Sequence, residues 1–356
     1  MWYNIRSTLL EIPQNFIHFT SIEGGVIMNI EMQMNDKNMP FAQFSGFYIK
    51  LTNNLKKAKA ITHSGCFHAD EIFSTVILLL LMKNLVLARI PKISGHVNPS
   101  AIIYDIGGGV FDHHQPGGNG ARENGIRYSS FGLMWKAYGR RVLEEYYKCS
   151  SSEAEILFNL IDEDLVQSID CIDNGQIPLI NNFPTKIKSL SSSLADFYPS
   201  WNEVTPRLEN EKFLEALQMA FFIFNNTVVK SINKLKAKAF VEKAIEQSVD
   251  GIMVLNQFVP WRTWTSESTN AKAKKIKFVI FPSNRGGYNI ATVPKNNSLV
   301  FPEKWAGLSG KNLQKVSKIE TATFCHPQRH IGGALLLLDA VQMARSVISS
   351  YYARCS

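Results

Sequence analysis

An α/β fold built on a mostly parallel sheet is predicted by three features of this 356-residue sequence. Strand-like and helix-like segments alternate from residue 57 to 175. The strand-like runs end in small, polar or glycine-rich turns. A second, smaller set of strand-like segments, closed by a helix, follows residue 248.

Taken in order, "KAKAITHS" (57–64) is a short strand running into a polar turn. Asp70 precedes an apolar stretch and caps a helix over 71–84. The run from Val76 to Met82, continued as "KNLVLARI", reads as a buried helix. It falls short of the roughly 20 apolar residues that a membrane span requires, so no membrane partner is expected. "AIIYDIGGG" (101–109) is β-branched and aromatic and closes on three glycines, which predicts a second buried strand. Residues 128–147 are helical behind Ser129 or Ser130, and 152–175 form a bent helix stopped by Gly175. A long helical pattern covers 209–248, with Lys230, Lys234, Lys236 and Lys238 as a solvated face. Strands follow at 251–261, 274–282 and 287–294, and a last helix starts near Gly333. The expected domains are an N-terminal extension of unassigned role (1–58), an α/β domain with a helical connector (59–248) and a smaller α/β lobe (249–356).

Composition narrows the function classes. Apolar residues make up 45% and charged residues 19%, as in a soluble globular protein. A net charge of +8 suits a polyanionic partner, nucleic acid first. Cys66, Cys149, Cys171, Cys325 and Cys355 are scattered and odd in number, without a C-x-x-C pair. That argues against a disulfide framework or a zinc ribbon and for a reducing, intracellular setting. The opening "MWYNIRSTLLEIPQNF" has no signal-peptide regions, and Glu11, Glu23 and Glu31 argue against a transit peptide. Nucleus, cytosol and mitochondrion stay open, as does oligomeric state.

The chemistry concentrates in two stretches. "THSGCFHADE" (62–71) holds His63, His68, Asp70 and Glu71; "YDIGGGVFDHHQ" adds Asp105, Asp112, His113 and His114. Burying such groups is costly unless something pairs with them. In a parallel sheet, ligands gather outside the carboxyl ends of the strands, where His63 and Asp105 are expected. Carboxylates and imidazoles without thiolate suit a hard or borderline divalent ion such as Mn²⁺, Mg²⁺ or Co²⁺. H-E-x-x-H, Walker A and the zinc-deaminase pattern are absent. Taken singly, each residue has a plainer reading: a histidine bonded to backbone, Asp70 as a cap, glycines as turns.

The Asp112-His113-His114 triplet after a strand-end aspartate resembles the DHH (Asp-His-His) phosphoesterases. More specifically, "THSGCFHADE", "DHHQ", "YSSFGLMWKAYG", "IDCIDNG", "SLSSSLADFYPSWNE", "FPEKWAGLSGKNLQKVSKI" and "FCHPQRHIGGALLLLDAV" resemble the signature blocks of the melanocyte-proliferating-gene family over about residues 60–350. The resemblance implies a DHH-phosphoesterase-like domain followed by a C-terminal substrate-binding lobe. It implies a metal-dependent phosphodiester hydrolase, a 3′-to-5′ RNA exonuclease with two divalent ions, Mn²⁺ first. By the same resemblance, His63, His68 and Asp105 hold one ion, and Asp70, Asp105, His113 and Asp173 hold the other. Asp170 is the alternative to Asp173, and Asp162 and Asp164 are expected at the surface. Asp112 is expected to orient an imidazole, and His114 to meet the scissile phosphate or move a proton.

From the second lobe, His326, Arg329 and His330 before Gly332-Gly333 would grip a phosphate at the start of the last helix. Lys272, Lys274, Lys275 and Lys277 either extend a backbone track or simply protect an edge strand. Two rival readings remain. One keeps the chemistry on a pyrophosphate, oligonucleotide or cyclic dinucleotide. The other is a nucleic-acid-binding protein with a structural metal.

Overall fold

The computed structural model describes residues 16–18, 29–34, 40–44, 46–176, 188–293 and 299–355. The chain divides into two compact units, Met1–Ser231 and Ile232–Ser356.

Among the described residues of the first unit, seven strands form one sheet: β1 (Phe16–His18), β2 (Asn29–Met34), β3 (Pro40–Phe44), β4 (Phe47–Leu51), β5 (Ala60–His63), β6 (Asn84–Ile90) and β7 (Ile102–Ile103). Their order is β1-β2-β3-β4-β6-β5-β7. The β4-β6-β5-β7 part is parallel and carries the site; β1 to β4 extend it as an antiparallel meander. The stretch expected to be a separate extension, 1–58, therefore contributes strands to the same sheet.

The helix α1 (Ala69–Leu81) follows β5 and is buried on every face from Ala69 to Leu80, which explains a sequence with no polar stripe. It packs against α2 (Ser130–Glu145), with Phe73 and Phe131 rings 5.1 Å apart. "NLVLARI", expected to continue the buried helix, is the strand β6. Lys83 and Asn84 are the exposed break after which the chain re-enters the sheet. A parallel strand covered on both faces reads as an unbroken apolar run, so periodicity gives no warning of it.

The expected strand 101–109 is shorter than predicted. It ends at Ile103, because Asp105 takes a left-handed conformation (φ 57°) that turns the chain. Beyond α2, the bent helix is resolved as α3 (Ser151–Ile161), a π-helical turn (Asp162–Val166) and α4 (Gln167–Asp173). Then come α5 (Leu190–Ala195) and the 41-residue α6 (Pro206–Glu246). The division expected near residue 248 falls instead at Ser231/Ile232, within α6. The last turns of that helix bond into the second unit, where Trp264 Nε1 donates to Lys234 O and Ser268 Oγ to Glu242.

The second unit is a five-stranded sheet in the order β11-β12-β10-β9-β8. Its elements are β8 (Ile252–Val254), α7 (Trp261–Glu267), β9 (Phe278–Pro282), β10 (Tyr288–Thr292), α8 (Gly310–Ser317), β11 (Ala322–Cys325), β12 (Ile331–Ala334) and α9 (Leu337–Cys355). Phe278, Ile280, Ile290, Phe301, Trp305 and Met343 form its core. The expected strand 251–261 stops at Val254 and gives way to α7; Pro294 lies outside the described residues. The last helix starts at Leu337, not near Gly333. Among the described residues no helix is long and apolar enough to cross a membrane.

Candidate metal centre

Because β5 and β7 are adjacent and parallel, their carboxyl ends lie side by side. His63 closes β5, and the left-handed turn after β7 aims Asp105 back at it, so His63 Nε2 lies 3.0 Å from Asp105 Oδ2. Next door is the amino end of α1, where the helix dipole favours Asp70 and Glu71 in the first turn. His68 precedes that turn, and its N–H donates to both Glu71 carboxylate oxygens at 2.9 and 2.8 Å. Glu71 Oε1 also lies 3.2 Å from His63 Nε2. From the loop past β7 comes His113, and from the last position of α4 comes Asp173.

His113 Nε2 faces three carboxylates: Asp173 Oδ2 at 3.0 Å, Asp105 Oδ1 at 3.3 Å and Asp70 Oδ2 at 3.6 Å. It is shielded from solvent, yet none of these contacts has hydrogen-bond geometry, and Asp70 Oδ1 is likewise buried without a partner. Ligand atoms around an octahedral cation at about 2.1 Å lie about 3 Å apart, so this spacing fits donors arranged around a common ion. Sets of mutually close donors overlap: His63, His68 and Glu71; His68, Asp70 and Asp173; Asp70, Glu71 and Asp105; Asp105, His113 and His114. Every residue expected as a ligand thus belongs to one continuous cluster.

The cluster's electrostatics are set by burial and by its crowded carboxylates. Burial pushes the Asp70 carboxyl well above the ordinary range, reinforced by the charges of Asp105, Asp173 and Glu71. Asp173 is raised by burial too. Burial also acts on Asp105, but the imidazoles of His113 and His63 hold it below the usual value. Burial opposes the charge on His63, yet Asp105 and Glu71 outweigh it and push this imidazole up to about 10. Oxygen and nitrogen donors without a thiolate in any of these sets fit a hard or borderline divalent ion.

Asp112 is buried beside the cluster, and His114 sits at its exposed rim. Asp112 accepts from the N–H of Gly108 at 2.6 Å and of His114 at 3.0 Å, and its Oδ1 lies 3.0 Å from His114 Nδ1. The imidazole it orients is therefore His114, whose side chain is 58% exposed and also lies 3.4 Å from Asp105 Oδ1.

Asp170 has a different environment. It is buried and accepts from Arg122 Nη1 (2.7 Å), Ser129 Oγ (2.6 Å) and Gly132 N (2.9 Å), apart from the donor sets. Asp162, expected at the surface, is instead gripped by Arg122 through Nε and Nη2 at 2.8 and 2.6 Å. Its partner is 40 residues away, and nothing local in the sequence signals it. Asp164 is exposed as expected. Glu71 was not expected as a ligand: an acid three residues after a helix start is already explained as a cap.

In the second unit, His326 and Arg329 bound the turn between β11 and β12, with Arg329 N donating to His326 O at 2.8 Å and Arg329 at φ 62°. The His326 and His330 rings are 4.5 Å apart. Burial, then the positive neighbours His326 and Arg262, pulls the His330 imidazole down. Gly332 and Gly333 do not open a helix, which corrects their expected role. They lie in β12, hydrogen-bonded to β10 on one side and β11 on the other, so the sheet engages their backbone. A Cβ on Gly333 would lie 2.6 Å from Thr323 Oγ1, and one on Gly332 would lie 3.2 Å from the Phe301 ring. Close packing accounts for both glycines.

The profile of one family, MYG1 exonuclease (described as uncharacterised protein family UPF0160), matches residues 59–348. A MYG1 protein of Saccharomyces cerevisiae is 33% identical over 322 residues, covering 80% of this chain and 94% of that protein. A protein of Mus musculus named MYG1 exonuclease is 28% identical over 340 residues, covering 83% and 87%. RecJ in complex with Mn²⁺ from Thermus thermophilus aligns over 84% of this chain and 53% of its own, at 12% identity and a TM-score of 0.25.

Proposed function

The chain belongs to the MYG1 family, and from that membership we propose that it is a metal-dependent phosphodiester hydrolase, a 3′-to-5′ RNA exonuclease working with two divalent ions, Mn²⁺ first. One observation carries the reading: Asp70 Oδ1 and His113 Nε2 are buried without a hydrogen-bond partner where four carboxylates and four imidazoles converge. The mouse and human relatives are named exonucleases, which supports a nucleic-acid substrate.

His63, His68 and Asp105, joined by Glu71, would hold one ion; Asp70, Asp105, His113 and Asp173 would hold the second, with Asp105 common to both. Bound there, divalent ions supply Lewis acidity that relieves phosphate charge and acidifies water at neutral pH. The chain's own contributions are orientation and proton handling. Ser130 Oγ donates to Asp105 Oδ1 at 2.9 Å and holds that carboxylate in place. Asp112 fixes the His114 ring, which stands at the exposed rim where a phosphodiester would approach. There His114 gives or takes a proton at the reacting oxygens. Within the second unit, Arg329, His326 and His330 offer donors to a phosphate.

Digestion of labelled RNA, DNA and small phosphoesters side by side with Mn²⁺ tests the reading. RNA shortened from its 3′ end, and activity lost in Asp105→Asn and His113→Ala, is the expected outcome. Activity confined to small phosphoesters removes the exonuclease assignment. Unchanged activity and metal content in both variants overturns the site.

A further inference from the structure

Four lysines and an arginine of the second unit, Lys272, Lys274, Lys275, Lys277 and Arg345, line a cavity of about 890 Å³. We infer that this cavity binds the phosphate backbone of single-stranded nucleic acid and so selects for long substrates, an inference that rests on the nuclease reading above.

The local sequence builds the feature. In "KAKKIK" (272–277), Ala273 and Ile276 are buried three residues apart, the repeat of the 3₁₀ turn at Ala273–Lys275. Burying those two leaves Lys272, Lys274 and Lys275 exposed and Lys277 half-buried. The turn is fixed by the N–H groups of Lys277 and Phe278, which both donate to Gly251 O at 2.7 and 3.1 Å. Gly251 has φ 78°, and a Cβ there would lie 3.0 Å from Lys275 O, so only glycine lets the turn close this tightly.

The charge is one-sided. Five cations meet one carboxylate in the lining, Asp250, which stands 3.6 Å from Arg345. Lys272 is also held by Glu246, through its backbone carbonyl and its carboxylate. Lys274 and Lys275 make no ion pair among the described residues. Like charges gathered around one hollow repel unless a polyanion joins them, and a run of backbone phosphates has the matching charge spacing. Tyr352, 56% exposed at the same cavity, offers a ring on which a base can stack. A hollow admits a strand, whereas a flat anionic bilayer would touch only its rim.

The test is steady-state hydrolysis, with Mn²⁺, of a dinucleotide and of a long RNA strand by the full chain and its K274Q/K275Q variant. Both replaced side chains are exposed, so the fold should persist, and thermal unfolding checks that it does. The expected result is a KM for long RNA raised about tenfold, with dinucleotide KM and kcat unchanged. The dependence of log KM on log salt should become shallower by about 1.4, or about 0.7 for each lost phosphate contact. Identical KM values for long RNA would overturn the inference. So would loss of binding to phosphatidylserine vesicles with RNA kinetics intact, which would make this a membrane site. If the wild-type chain cleaves neither substrate, the nuclease reading fails separately. Fluorescence anisotropy of labelled RNA bound by both proteins then reads the cavity directly: a tenfold loss in the variant supports it, and equal affinities reject it.

Discussion

Asp70 concentrates the electrostatic problem of the first unit. Its carboxyl is fully buried, and the charges of Asp105, Asp173 and Glu71 disfavour its ionised form. A divalent ion converts that mutual repulsion into attraction, so stability and metal affinity should respond oppositely to its replacement. Asp70→Asn is expected to weaken Mn²⁺ binding by about tenfold or more, since a charged donor is lost. In chelator the same variant should be at least as stable as wild type, because repulsion has been removed. Calorimetric titration and urea unfolding measure the two effects; a variant destabilised in chelator with Mn²⁺ affinity intact would contradict both. Glu71 separates two roles by a different route. Glu71→Gln keeps an acceptor for the His68 N–H and loses the charge, whereas Glu71→Ala loses both. Both should bind Mn²⁺ more weakly, but only Ala should lose about 1 kcal/mol of metal-free stability, the usual worth of a cap.

The helix α4 positions Asp173, and what holds α4 is Arg122, clamped to Asp162 and Asp170 with its side chain only 9% exposed. Arg122→Met would leave Asp170 buried without its cation and cost about 3–5 kcal/mol in urea unfolding at neutral pH. The pH dependence has a definite sign. Burial, opposed by Arg122 and hydrogen bonds, puts the Asp170 carboxyl at about 6 in the folded protein. Without the arginine it rises further, so the penalty should be full above that pH and shrink as acid neutralises the side chain. A penalty independent of pH would mean that lost packing, not charge, dominates. Gly132 belongs to the same assembly: a Cβ there would fall on the Asp170 carboxylate. Gly132→Ala should therefore displace α4 and lose about 1–3 kcal/mol, even though alanine is the better helix former. These elements also show which parts of the site the sequence discloses. His63 and Asp105 are legible because they are expected at strand ends, where a parallel sheet collects its ligands, whereas the roles of Asp70 and His113 come from the family resemblance. Asp173 stands out from Asp170 only by its place at the helix end. The grip of Arg122 on the half-buried Asp162 is not legible, since a contact 40 residues away leaves no local trace. β6 is hidden because a strand buried on both faces has no alternation. Gly332 and Gly333 mislead because a glycine pair marks a turn or helix end more often than the interior of a tightly packed strand.

Every candidate ligand lies between residues 63 and 173, within the first unit, whereas the hairpin and basic cavity lie in the second. On the proposed reading, ion holding and most of the cationic grip fall in different units, and linkage gives that separation a measurable consequence. An ion that binds only the folded site stabilises it by about 2.7 kcal/mol at a hundredfold excess over its Kd. Where compact units open independently, such a gain appears only in the unit that holds the ion. Mn²⁺ should therefore slow hydrogen exchange in β5, α1 and α4, and chelator should reverse it, while β9, β10 and β12 exchange at unchanged rates. Equal protection in both units would show that they unfold together, with α6, which runs through the division at Ser231, transmitting the ion's effect. Protection in neither, at Mn²⁺ concentrations far above those supporting hydrolysis, would mean that the carboxylates at the end of the parallel sheet do not hold the ion.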